Sequence, residues 1–235
     1  MIPIQDIPDG QRRHFPAFTV ALIAANVLVF LYELSLGSGL PRFIYTYGMI
    51  PLEITTGQQL TPSPIPIYLT MFTAMFIHGG LLHLAGNMLF LWIFADNVED
   101  TLGHLLFIGL YFLCGVVASL LQVYSNPTST LPNIGASGAV AGVLGGYLLL
   151  FPNATIRTLL FVGPFITITR LSALLMIGVW LLFQVVSALA EVAIASEGET
   201  GGVAFWAHIG GFVAGVVSLG LWRMLTGYEP RAPAT

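Results

Sequence analysis

Four polar side chains of the kinds that make and break acyl bonds stand inside otherwise apolar stretches of this chain. They are Ser137 in "GASGAVAGVLGGYLLLF", His208 in "FWAHIGGFVAG", and His83 with Asn87 in "HGGLLHLAGNMLFLW". A serine hydroxyl becomes a nucleophile when an imidazole nitrogen lies within about 2.6–3.2 Å to take its proton. Imidazole and amide N–H groups are donors suited to a developing oxyanion. His83 and Asn87 are four residues apart, so one helical turn sets them on one face. Singly, each has a plainer explanation: a serine bonding its own backbone, a packing histidine, an asparagine joining two helices. Their shared depth sets them apart, and it follows from the segments that carry them.

The chain is 56% hydrophobic and 8% charged, against about 25% charged residues in a soluble domain. Its mean hydropathy is +0.88, which places it in a lipid bilayer. Six segments approach the roughly 20 apolar residues of a span: about 18–34, 81–98, 104–124, 135–151, 171–194 and 204–225. The first follows Arg12 and Arg13 and is longer than the roughly 7–15 apolar residues of a secretory signal, so a retained span is expected. The expected organisation is an N-terminal cytoplasmic segment (1–17), a six-span membrane domain (18–226) and a cytoplasmic tail (227–235). A formal net charge of −4 without a basic patch gives no reason to expect a nucleic-acid partner. Cys114 is the single cysteine, and no His, Asp or Glu spacing suggests zinc, so neither metal nor cofactor is expected.

The chain has no lysine. With the N-terminus inside, Arg12, Arg13, Arg157, Arg170, Arg223 and Arg231 all face the cytoplasm and only Arg42 lies outside, as the positive-inside rule requires. Both termini are then cytoplasmic. The cluster Asp96 to Asp100 is expected at the inner turn between spans two and three. Residues 35–80 form a long external connection, proline-rich yet apolar in places, expected to lie partly in the membrane interface. No organelle-targeting pattern is apparent, so a plasma or inner membrane is expected.

On this topology Ser137, His83 with Asn87, and His208 open spans four, two and six from the outside. Gly138 with Gly142, and Gly211 with Gly215, are small-xxx-small pairs that allow close helix packing. His208, Gly211 and Gly215 share one face of span six. Span four, Gly135 to Phe151, covers only about 25 Å at 1.5 Å per residue, against roughly 30 Å of hydrocarbon. Ser137 therefore lies below the outer surface. The segment Ser125 to Ile134 must descend as irregular backbone, tolerated at depth only when buried in protein or lining a water-filled cavity.

"GASG" around Ser137, "HGGLLHLAGN" from His78 to Asn87 and "AHIGGFVAG" from Ala207 to Gly215, in this arrangement, resemble the rhomboid intramembrane serine proteases. The resemblance covers almost the whole chain and implies an all-α, six-transmembrane-helix bundle. It implies Ser137 as nucleophile, His208 as general base and then acid, and His83, Asn87 and the Ser137 N–H as the oxyanion hole. His78 becomes a supporting residue and Gly135 positions the nucleophile loop. Transmembrane protein substrates, small residues at the scissile bond and lateral access between spans two and five are further implications. Where some family members carry an aromatic residue one turn after the serine, this chain has Ala141, so Phe205 or Trp206 is the expected support for the imidazole. Where some carry a Trp-Arg pair in the first loop, it has Arg42 without a tryptophan.

No carboxylate is ready as a third catalytic member; the nearest, Glu191, Glu197 and Glu199, precede His208 in an external turn. A Ser-His dyad is therefore expected. The alternative is a catalytically silent rhomboid-like protein that binds or escorts membrane proteins, but such proteins usually lack the serine or histidine. A transporter would more often place charge at mid-membrane.

Overall fold

The structure is a computed structural model, and it describes residues 1–7, 14–163, 165–194 and 204–229. Arg12, Arg13, Arg231, Glu197 and Glu199 lie outside the described residues. A strand, β1 (Ile2–Ile7), precedes α1 (Ala17–Ser35). Short helices α2 (Leu40–Tyr47) and α3 (Pro51–Thr56) lead to α4 (Leu81–Leu102), α5 (His104–Ser125) and α6 (Ser137–Leu150). A hairpin of β2 (Thr155–Val162) and β3 (Phe165–Ser172) then leads into α7 (Ala173–Ile194), and α8 (Phe205–Thr226) follows. Five helices, α1, α4, α5, α7 and α8, are long and apolar enough to cross a membrane. This is a helical, multi-pass integral membrane protein. The sixth expected span is α6, a shorter apolar helix.

The buried centre is α6. It has 14 residues, about 21 Å, and begins at Ser137 itself, later than the sequence suggests. Every residue from Gly138 to Tyr147 is buried. A helix built of glycine, alanine and valine can take neighbours on all sides, and α4, α5 and α8 pack around it. Tyr111, Phe107 and Phe94 fill the space about Leu144 and Tyr147.

The segment before Ser137 descends against the long first connection rather than against lipid. Met49 N–H donates to Asn133 O at 3.1 Å and Asn133 N–H to Met49 O at 2.8 Å. Leu52 N–H reaches Ser129 O at 3.0 Å, and Gly135 N–H reaches Ala74 O at 2.8 Å. Residues 35–80 thus carry α2, α3 and the helical turns Ile67–Phe76. They also supply the backbone partners that the irregular segment needs.

At the opposite end of the bundle the structure adds something the hydropathy does not signal. Strands β1, β2 and β3 form an antiparallel sheet in that order, with Ile2 opposite Leu159 and Arg157 opposite Arg170. The N-terminal segment is therefore partly a strand. The cluster Asp96 to Asp100 is not a turn but the last part of α4, and the turn falls at Gly103, with φ of +76°. Glu99, nearly fully buried, accepts from the N–H groups of Phe18 (2.9 Å) and Thr19 (2.8 Å) and from the Thr19 hydroxyl (2.7 Å). His104 Nδ1 lies 2.6 Å from Oε1, the oxygen that also accepts from Phe18 N–H. A carboxylate from α4 thereby satisfies the first free N–H groups of α1, where the helix dipole favours negative charge. Asn97 donates to Asp6, and the Tyr147 hydroxyl donates to the same carboxylate at 3.2 Å, which fastens β1 to α4 and α6.

Glu99→Ala leaves these buried donors without an acceptor. Thermal unfolding in detergent is expected to show a lowered Tm, with a loss of about 2 kcal/mol or more. Glu99→Gln, which keeps one acceptor oxygen, is expected to fall between the two.

Candidate active site

The serine and histidine come together because α6 and α8 meet backbone to backbone. A Cβ built on Gly211 would stand 1.9 Å from Gly138 O, and one on Gly215 would stand 1.9 Å from Gly142 O. Neither space accepts a methyl group. Across this contact His208 Nε2 lies 2.8 Å from Ser137 Oγ. His208 is 7% exposed, so its hydrogen bonds are made largely out of water. Gln122 of α5 holds the start of α8 by accepting from Ala207 N–H at 3.2 Å.

The other ring nitrogen of His208 is also engaged. Its Nδ1 lies 2.7 Å from Gln184 Oε1, on α7. A carbonyl oxygen only accepts, so Nδ1 carries the proton and Nε2 is left as the acceptor for the serine O–H. The ring is packed by Trp180, with centroids 5.8 Å apart and planes at 39°, and by the edge of Phe205 at 6.5 Å and 86°. Phe205 is thus among the ring's neighbours, as expected, whereas the second aromatic is Trp180 and not Trp206. Ala141 is fully buried within α6.

His83 and Asn87 open α4 on the same side. Gly79 N–H points to His83 Nδ1 at 3.4 Å, which leaves Nε2–H as the free donor of a neutral ring. That edge faces the nucleophile loop: a Cβ on Gly135 would stand 2.8 Å from His83 Nε2 and 3.7 Å from Ser137 Oγ. Gly135 has φ of +121°, a conformation that side chains rarely adopt. Asn87 is buried, and its Nδ2 has no hydrogen-bond partner among the described residues. A buried amide N–H left free is costly and is what an oxyanion donor needs. The first N–H groups of α6, at Ser137, have no acceptor within their own helix.

His78 sits behind this set. Its ring meets His83 edge-on at 5.1 Å, and its backbone N–H donates to Glu33 of α1 at 3.1 Å. Glu33 is 2% exposed; it ties the loop before α4 to the first span. The described residues therefore bring Ser137, His208, Gly135 and His83 together, with His78 against His83 and Asn87 one helical turn beyond it. Gln184, Trp180, Gln122 and Glu33 are not anticipated by the sequence reading. Each polar one interrupts an apolar run, as in "LLFQVV" and "FLYELS", and that cost is the signal that could have found them.

Residues 67–224 match the Rhomboid domain. The chain belongs to the rhomboid family. This rhomboid is 31% identical over 222 residues to Rhomboid protein 1, mitochondrial, of Saccharomyces cerevisiae, covering 87% of this chain and 56% of that protein. It is 27% identical over 231 residues to human Presenilin-associated rhomboid-like protein, mitochondrial, covering 95% of this chain and 50% of the relative. It is 30% identical over 134 residues to Rhomboid protease GluP of Bacillus subtilis, covering 57% of this chain and 24% of that protein. The chain thus spans about half the length of the first two of these relatives.

Gly211→Ala tests the helix contact on which the rhomboid site rests. Its methyl group collides with backbone that cannot rotate away, so a stability loss of about 1–3 kcal/mol is expected in denaturant or thermal unfolding. Wild-type stability in this variant would show that the two backbones do not touch.

Proposed function

We propose that this rhomboid is an intramembrane serine endopeptidase that hydrolyses peptide bonds in or near transmembrane segments of membrane-protein substrates. The observation that carries the reading is the 2.8 Å contact between Ser137 Oγ and His208 Nε2, with Nδ1 of the same ring already committed to an acceptor. Similarity to Rhomboid protease GluP supports the same reaction class.

In this mechanism Ser137 Oγ attacks the carbonyl carbon and its proton passes to His208 Nε2. The oxyanion is met by the Ser137 N–H, the Asn87 amide and His83 Nε2–H. Collapse breaks the C–N bond, and the proton on Nε2 goes to the departing amine. A water molecule, deprotonated by the same nitrogen, then attacks the acyl ester and regenerates the serine. The dyad, the oxyanion hole and the supporting role of His78 are all part of this reading. No cofactor enters any step.

A peptide bond within a helix is shielded by its own hydrogen bonds, so a substrate span that unwinds readily near the serine end is the favoured class. The arginines of the described spans and sheet favour a cytoplasmic sheet end: Arg157 and Arg170 lie on β2 and β3, and Arg223 lies in the last turn of α8. On this reading both termini are cytoplasmic and the host is a cell (inner) membrane, with 18–226 as the membrane domain.

Cleavage of a single-span test substrate in liposomes examines the reading. Wild type is expected to cut, while Ser137→Ala and His208→Ala are expected to be silent. Asn87→Ala is expected to lose about 10²–10³ in turnover. A folded wild type that cuts none of several substrates would favour a binding or escort role; cutting that survives Ser137→Ala would remove the serine mechanism.

A further inference from the structure

We propose that Gln184 is a positioning residue that fixes the tautomer of His208, a role that rests on the serine-protease reading above. The relevant geometry lies on α7, a helix that contributes none of the reacting groups. Gln184 is 5% exposed within a span whose other side chains are almost all apolar and largely turned outward, including Leu174, Val179, Leu182, Phe183 and Val186. Its amide oxygen is 2.7 Å from His208 Nδ1. A buried amide in a membrane helix is costly unless bonded, and its described partner is the imidazole of the proposed base.

The chemistry makes this partner consequential. A neutral imidazole carries one N–H, and only the Nδ1–H form leaves Nε2 free to accept the Ser137 proton. An acceptor at Nδ1 selects that form; holding the imidazole in the wrong tautomer costs serine proteases about 10⁴ in turnover. In soluble serine proteases a carboxylate fills this place. Here a neutral amide does so without burying a second charge among apolar helices. Trp180 lies one turn before Gln184, on the same face of α7, and packs on the imidazole ring. One helix therefore supplies both the in-plane acceptor and the ring packing, the latter in a chain with only Ala141 one turn after the serine.

Two measurements test the assignment: steady-state kinetics in liposomes, and ¹⁵N NMR of the His208 ring, which requires no substrate. Gln184→Met keeps the side chain's length but cannot accept a strong hydrogen bond. It is expected to lower kcat about 10²-fold, with KM within about twofold of wild type. Gln184→Glu restores an acceptor and is expected to recover at least about tenfold of that loss. In the wild type the ring proton is expected on Nδ1, and in Gln184→Met a mixture of both tautomers. Wild-type kcat in Gln184→Met, a wild-type proton on Nε2, or a loss that Gln184→Glu does not relieve would each overturn the proposal. Equal cleavage by wild type and Ser137→Ala would instead remove the protease reading, and the NMR result would still decide the tautomer.

Discussion

The structure depends on the direct backbone contact between α6 and α8. Gly138 with Gly211 and Gly142 with Gly215 leave no room for a side chain between the helices. That closeness lets an imidazole on one helix reach a hydroxyl on the other at 2.8 Å. Between helices in lipid there is little hydrophobic drive to associate, so close van der Waals packing of small residues carries the burden. The same glycines that make α6 a poor helix by intrinsic propensity make it the helix on which α4, α5 and α8 converge.

Around this contact the protein uses a few buried polar anchors to hold irregular or terminal backbone. Glu99 closes the start of α1, Glu33 fixes the loop that leads into α4, and Gln122 fixes the start of α8. The descending segment before Ser137 is held through Asn133 and Ser129 by the first long connection. These anchors occupy element ends, where free N–H groups collect. Ser137 itself begins a helix, so the proposed nucleophile stands where unsatisfied donors are already directed.

Much of this was legible in the sequence because the membrane simplifies the reading. Apolar length gives the spans, and polar residues within them, Ser137, His83, Asn87 and His208 among them, stand out by their cost. The membrane-sheet boundary was less legible. Residues 155–172 are rich in β-branched side chains, but the third strand, Ile2–Ile7, pairs with β2 from some 150 residues earlier in the chain. Hydropathy cannot express such a pairing. Gln184 is hidden for a different reason: the third group of a serine protease is ordinarily a carboxylate, whereas here an amide oxygen stands at the same ring nitrogen. The roles of Trp180 and Glu33 are not legible in the sequence because ring packing and a single backbone contact depend on how helices are rotated, which spacing alone leaves open.

The central claim is that Ser137 is an activated nucleophile because it meets His208 at the α6–α8 contact. The most direct measurement is treatment of the native protein with a serine-directed fluorophosphonate, followed by mass-spectrometric mapping of the adduct. The account predicts one adduct, on Ser137, formed in wild type and absent when His208 is replaced by alanine. Labelling spread over other serines, or undiminished labelling of Ser137 without His208, would contradict it.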